Sequence, residues 1–397
     1  MVVALVIGLL VLAGGRAGAD TESPSPPVAV TLPLKESAFE VQLLPTAGFR
    51  TEAVLLTPRL SQQTILRTDP KHGWQFTLAC YGYFRPEYQT QPELRFRVYA
   101  QQLEDLPRVQ KVCRLLLRLQ QIAWQKLRLQ VNLQGERVLN IWLCRQGNAG
   151  GEQWRNNLYI YSIESIQHPV EWLREVAHEF SHALLPGITG FTRPEPWANG
   201  YMGERLFLSW IEPLVSGGQL SGEDLCDTSV QDIRQSVQQR CLPLRNKWLT
   251  SGFPKGDFTR TDAVGMGALI GLALYIDGVY GSSMLRATFA RLTEPYPSAF
   301  WKAFTEALRE AEEVHLTPVG TNIQVWLPAE EWQVQAQDRK AFLQIDKNRW
   351  QAIHSAWKLS SDGWYRLTSD APLRLLRSSN TLRTNVPAGR GSPAGEW

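Results

Sequence analysis

Two histidines four residues apart, His178 and His182, stand in the run REVAHEFSHALLPG, with Glu179 directly after the first. On an α-helix positions i and i+4 lie one above the other, so both imidazoles would face a common point. Two ligands of one metal ion need that arrangement, and imidazole nitrogens with an oxygen ligand suit zinc. Glu179, turned by about 100° from His178, would reach a water beside the metal without binding the metal. It would take a proton from that water as general base and return it to a leaving amine as general acid. HExxH is thus a pattern with a mechanism, hydrolysis assisted by one Zn²⁺ per chain. Val176, Ala177, Ala183, Leu184 and Leu185 surround it, and a buried carboxylate among such neighbours is costly unless it is used.

Two histidines do not complete a catalytic zinc site, which takes three protein ligands and water. The break at Pro186-Gly187 lets the chain turn back, and RPEPWANGYMGERLF reads as a second helix starting near Pro196. Asn199 and Gly203 share one face of it, with Glu204 about 100° further round. Asn199 offers a neutral amide oxygen, a poor ligand beside a carboxylate. Glu204 has charge and reach, and its burial would be costly unless something positive met it, so it is the favoured third ligand. Glu195, thirteen residues past His182 in the loop, could reach a metal but reads better as a solvated acid. Gly200 and Gly203 each weaken a helix by about 1 kcal/mol relative to Ala, which suggests close approach of the two helices. Tyr201, Tyr275, Tyr280 and His315 are candidates for steadying an oxyanion, and spacing does not choose among them.

The elements that must hold these groups follow from periodicity. TEAVLLT, WQFTLACYGYF and LRFRVYA alternate partly and read as strands. From Asp105 to Leu127, Val109, Val112, Leu116, Leu119, Ala123 and Leu127 recur at helical steps. RVLNIWLC and NNLYIYSI are short strands joined by the Gly-rich loop QGNAGGEQW. The HExxH helix runs from near Pro169 to Leu185, and further helices are expected over 227–240, 261–277, 282–292 and 298–313. Beyond His315 short strands separated by polar turns predict a small β domain, whose Trp residues read as core.

AHEFSHALLPG followed by PWANGYMGERLF resembles the gluzincin-type zinc metallopeptidases, the thermolysin and aminopeptidase-like group of the MA clan. The similarity covers roughly residues 100–310, and ALYIDGVYGSSMLRATFARL is similar to the helical bundle that follows the site in that family. The resemblance implies an α+β fold with a zincin-like catalytic domain of small mixed sheet, HExxH helix and helical subdomain. It implies peptide or protein substrates, and an edge strand that pairs with an extended peptide, for which NNLYIYS is the candidate. The chain departs from the family pattern at Asn199, where aminopeptidases carry a glutamate, and at Glu175, where the family has a small or β-branched residue. Asn199 sustains an alternative, a peptidase-like binding protein of the cell envelope without turnover. A metzincin is excluded, since Leu185 and Ile188 stand where HExxHxxGxxH needs Gly and His.

The chain has 397 residues, 44% hydrophobic and 20% charged, a globular composition long enough for several domains. Its net charge of +3, with scattered basic residues, gives no footprint for nucleic acid. The opening MVVALVIGLLVLAGGRAGAD reads as a signal peptide over 1–19, cleaved after Ala19, which implies a secreted, periplasmic or envelope protein without stable membrane insertion. A Pro/Ser-rich linker is expected over 20–44, a β-rich region over 45–100 and the metallopeptidase domain over 101–315. The small all-β domain would then occupy 316–377 and a disordered tail 378–397. Export permits disulfides, and of the five cysteines Cys226 and Cys241 are the expected pair.

Overall fold

Residues 39–59, 67–86, 94–131, 137–317, 322–335, 341–346, 349–352, 356–369 and 371–378 are described by a computed structural model. The expected signal peptide, most of the expected linker and the tail after Ser378 lie outside them. The chain opens with strands β1 (Phe39–Leu43), β2 (Glu52–Pro58), β3 (Arg67–Thr68), β4 (Gln75–Phe76), β5 (Leu78–Arg85) and β6 (Leu94–Ala100). Helix α1 (Leu106–Leu127) precedes β7 (Val138–Leu143), β8 (Gly150–Trp154) and β9 (Asn157–Tyr161). Then come α2 (Pro169–Leu184), α3 (Asn199–Ser216), α4 (Val230–Arg240), α5 (Leu242–Ser251), α6 (Lys255–Phe258), α7 (Ala263–Tyr280), α8 (Ser282–Ala290) and α9 (Pro297–Glu310).

Seven strands form one mixed sheet in the order β1-β2-β5-β6-β7-β9-β8. Pairing is parallel at β6/β7 and β7/β9 and antiparallel elsewhere. A parallel neighbour needs a crossover, and α1 supplies it between β6 and β7. The six apolar residues that set its period are all buried. On the opposite face Tyr81, Tyr83, Tyr99, Trp142 and Tyr159 form a second core, with Tyr99 and Trp142 stacked at 4.3 Å.

The sheet corrects three expectations. Strands β1, β2, β5 and β6 belong to the same sheet as β7 to β9, so a boundary at 100 would cut through it. Strand β1 also falls within the expected linker. Finally, NNLYIYS is β9, an inner strand; the edge is β8, drawn from the segment read as a Gly-rich loop. Two glycines there hide the strand pattern, because they bring no side chain to alternate.

Helix α7 is apolar all round, and its length and hydropathy would also suit a membrane span, but most of it is buried inside the fold. It carries the C-terminal β region on two tyrosines: Tyr275 donates to the Gln324 carbonyl at 3.0 Å and Tyr280 to the Trp326 carbonyl at 2.9 Å. That region contains β10 (Glu313–Leu316), β11 (Ile323–Leu327), β12 (Glu331–Gln335), β13 (Ala341–Asp346), β14 (Arg349–Ala352), β15 (Ala356–Lys358), β16 (Gly363–Ser369) and β17 (Leu373–Arg377). They make two four-stranded antiparallel sheets, β10-β17-β12-β15 and β11-β16-β13-β14. The chain is therefore mixed α+β with a C-terminal all-β region.

The expected Cys226–Cys241 disulfide is absent: all five cysteines are buried free thiols. Helix α4 lies between the two, and its eleven residues alone span about 16 Å. A disulfide tolerates a Cα separation of only about 4.4–6.8 Å.

Candidate metal and catalytic site

Helix α2 starts with Pro169 in its first turn and ends where Leu185 turns extended ahead of Pro186. Trp172, Leu173, Val176, Ala177, Phe180 and Leu184 bury one face, which turns the stripe of Glu175, His178, Glu179 and His182 toward α3 and β8. Three glycines let neighbouring backbone come close. A Cβ on Gly200 would lie 2.5 Å from His178 Nε2 and 2.4 Å from His182 Nε2, and one on Gly203 would lie 1.9 Å from Ser181 Oγ. On β8, a Cβ at Gly151 would sit 2.4 Å from Glu179 Cγ.

The two Nε2 atoms are 3.2 Å apart. Glu195 Oε2 lies 3.4 Å from His178 Nε2 and 3.6 Å from His182 Nε2. Zinc–nitrogen bonds of about 2.0–2.1 Å put two corners of a tetrahedron roughly 3.3 Å apart, so these three atoms match one face of such a tetrahedron. The nearest oxygen of Glu179 stands 3.9 Å from His178 Nε2, further out than that of Glu195. Among buried side-chain atoms, Glu179 Oε2 and Glu195 Oε1 have no hydrogen-bond partner. Two carboxylates beside two imidazoles, each with a second oxygen that lacks a partner, fit a cation, and this donor set fits a divalent one.

Glu204, the favoured third ligand, is elsewhere. Its Oε1 accepts from Arg174 Nε at 2.7 Å, and its Oε2 pairs with Arg205 and faces His178 Nδ1 at 3.8 Å. The positive partners that its burial demanded are two guanidinium groups, and they hold it on the far side of the imidazole. Asn199 does the matching work for His182. Its Oδ1 is 2.9 Å from His182 Nδ1, while its Nδ2 donates to the carbonyls of His182 and Leu185, both at 3.3 Å. With Nδ1 donating, Nε2 of His182 keeps its lone pair for a metal.

Glu195 reaches the histidines because its loop is pinned. Thr189 and Trp197 form a β-bridge across the base of 189–197, and Ala198 N donates to the Ile188 carbonyl at 2.8 Å. Two further backbone bonds, Thr189 N to Pro295 O and Thr192 N to Thr261 O, fasten the loop to the helical half. RPEPW carries no signal of those partners, so reading the acid as solvated missed its placement beside the two imidazoles.

Charge is concentrated here. Burial pushes the Glu179 carboxyl up to about 8, although His178 opposes the shift. Burial disfavours charge on His178 too, but the carboxylates of Glu195 and Glu204 outweigh it and raise that imidazole to about 10. Glu195 and Glu204 are held at about 2 against the effect of burial, Glu195 by both histidines and Glu204 by His178, Arg205 and Arg174.

A cleft runs through the site in two arms that share Gly151, Glu179 and Glu195. The His182 arm, about 410 Å³, includes Gln153 and the exposed Trp197; the His178 arm, about 540 Å³, includes Glu175 and Tyr201. Tyr201 meets His178 edge-on, with ring centroids 4.5 Å apart. Of the other oxyanion candidates, Tyr275 and Tyr280 are buried in the interior and His315 is exposed beside Glu313. A cavity of about 590 Å³ near Arg108 and Arg145 does not reach the histidines, and most of its charges pair within it, Asp105 with Arg108 and Arg145, Lys111 with Asp227. No protein-family model matches the chain, and comparison with curated proteins finds no significant match.

Proposed function

We propose that this protein is a zinc-dependent hydrolase that cleaves peptide bonds in an extended substrate, a zincin-like metallopeptidase. The observation that carries the reading is the triangle of His178 Nε2, His182 Nε2 and Glu195 Oε2, with sides of 3.2, 3.4 and 3.6 Å. These residues would hold one Zn²⁺. The chemistry the ion supplies when bound at such a site is acidification of water and polarisation of a carbonyl. Glu179, whose Oε2 is unpartnered, takes the proton of the attacking water and delivers it to the leaving amine. Asn199 and Glu204 hold the imidazoles from behind, and Tyr201, which lines the cleft beside His178, would donate a hydrogen bond to the developing oxyanion. The edge strand β8 offers its backbone to a peptide lying along the cleft.

Metal analysis and a mixed peptide library test this together. The purified protein is expected to carry about one zinc, and His178→Ala and His182→Ala to lose most of it. Glu179→Gln should retain zinc while hydrolysis falls by about 10²-fold or more. Full metal retention in both histidine variants, or equal turnover in Glu179→Gln, overturns the reading.

A further inference from the structure

We propose that Glu175 selects substrates carrying a cationic group, an ammonium or a guanidinium, in the His178 arm of the cleft. The inference rests on the hydrolase reading above. On α2, Glu175 precedes His178 and Glu179 by three and four residues, so it stands about one helical turn, 5.4 Å, along the same face. That is within the span from a scissile carbonyl to a charge on the adjoining residue.

The balance of charge in this arm leaves Glu175 over. Its wall carries the carboxylates of Glu171, Glu175, Glu179, Glu195 and Glu204 but, once His178 is neutral as a metal ligand, only one cation, Arg174. Arg174 is engaged by Glu204, together with Arg205 from outside the wall. A divalent ion would offset Glu179 and Glu195. Glu171 is exposed to solvent, whereas Glu175 is half-buried and accepts no hydrogen bond or ion pair from any described residue. A lone carboxylate in a partly closed arm acts through a lower dielectric than water and attracts positive charge. Burial raises the Glu175 carboxyl above its ordinary value, with His178 and Arg174 opposing that shift and Glu204 and Glu195 adding to it, so a cation seated beside it would favour the charged form.

The other arm lacks such a group. Its own acid, Glu152, is paired with Lys71 and accepts from the Tyr161 hydroxyl, and Pro196 and Trp197 complete an apolar wall. The arms therefore differ in charge, and a peptide with a cation on one side of the scissile bond fits in one direction only. Glu175 also shares its cleft with the buried, unpartnered Glu179 Oε2, which separates it from acids scattered on the surface.

The test uses the full chain loaded with zinc and peptides that carry Lys, Arg, norleucine or Glu at each position flanking the cleaved bond, with free or acetylated amino termini. A cationic peptide is expected to exceed its norleucine counterpart in kcat/KM by about tenfold or more, the scale of one charged hydrogen bond. Glu175→Gln should bring that ratio to within about twofold, and Glu175→Lys should favour the Glu peptides. Loss of the preference on acetylation assigns the cation to the substrate's α-ammonium; persistence assigns it to a side chain. Calorimetry with the Glu179→Gln protein, with and without Glu175→Gln, reads the same ratio as affinity. A ratio unmoved by Glu175→Gln, or turnover without charge preference, overturns the inference and leaves the hydrolase reading standing. Zinc-loaded protein that cleaves no peptide overturns both.

Discussion

Glu195 and Glu204 carry the same side chain, and their surroundings give them different work. Glu195 faces the Nε2 atoms of both histidines, whereas Glu204 is held by Arg174 and Arg205 behind His178. Glu195→Ala is therefore expected to remove most of the zinc, as the histidine variants do. Glu204→Gln and Asn199→Ala should weaken affinity by about 10- to 100-fold, the usual cost of losing an outer partner of a ligand. Competition with a chelator of known affinity measures both, and equal loss from Glu195→Ala and Glu204→Gln would contradict the assignment. Protons compete for the same atoms. His178 without metal is raised to about 10, so at neutral pH it is cationic and must release a proton for a metal to bind. Zinc affinity should accordingly rise with pH across 6 to 8, by up to tenfold per unit. Glu195→Gln, which removes one of the carboxylates that raise His178, should flatten that slope.

At the scale of elements, α2, α3 and β8 meet through three glycines, each tested by one methyl group. Gly200→Ala would drive a Cβ against both Nε2 atoms and should abolish metal binding. Gly203→Ala would press on Ser181 across the helix pair, and overpacking of this kind costs about 1–3 kcal/mol. It should lower Tm by several degrees in a metal-free melt. Gly151→Ala meets the flexible Glu179 side chain, so zinc content should persist while turnover drops. Metal analysis beside kinetics separates the three, and a Gly151→Ala protein with parental turnover would show that β8 does not position Glu179.

For the whole molecule, the C-terminal β region is continuous with the helical core, which argues for one cooperative unfolding unit. Tyr280 both donates to the Trp326 carbonyl and accepts from the Trp326 amide at 2.8 Å. Tyr280→Phe leaves two buried backbone groups unpaired, at about 1–3 kcal/mol each. Denaturant melts followed by fluorescence and by far-UV dichroism should shift together; separate transitions would mark an independent β unit. All five thiols are buried and free, so denaturation in an alkylating agent without reductant should modify five cysteines. Recovery of only three would restore a disulfide. The signal peptide expected over 1–19 would leave a mature chain that begins at Asp20, which intact-mass measurement on protein from the native host checks.

The sequence by itself determined what depends on neighbours a few residues away. HExxH names His178, Glu179 and His182 because helical periodicity alone puts them on one face, and α1 is legible for the same reason. The close helix contact was legible in Gly200 and Gly203, since glycine in a helix is a local cost that calls for a gain. Which carboxylate lies beside both imidazoles, only the tertiary structure decided. Glu195 lies in a loop whose course depends on a bridge from Thr189 to Trp197 and on bonds to Pro295 and Thr261, 66 or more residues further along the chain from Glu195. Glu204 was rightly read as buried, but burial says nothing of which side of the imidazole it faces, and Arg174 from α2 settled that. The edge strand was hidden likewise, because Gly150 and Gly151 bring no alternation and become a strand only by pairing with Tyr161 and Ile160. Periodicity records which face of an element is buried; the identity of the group across from it is a long-range fact, fixed only when distant segments pack.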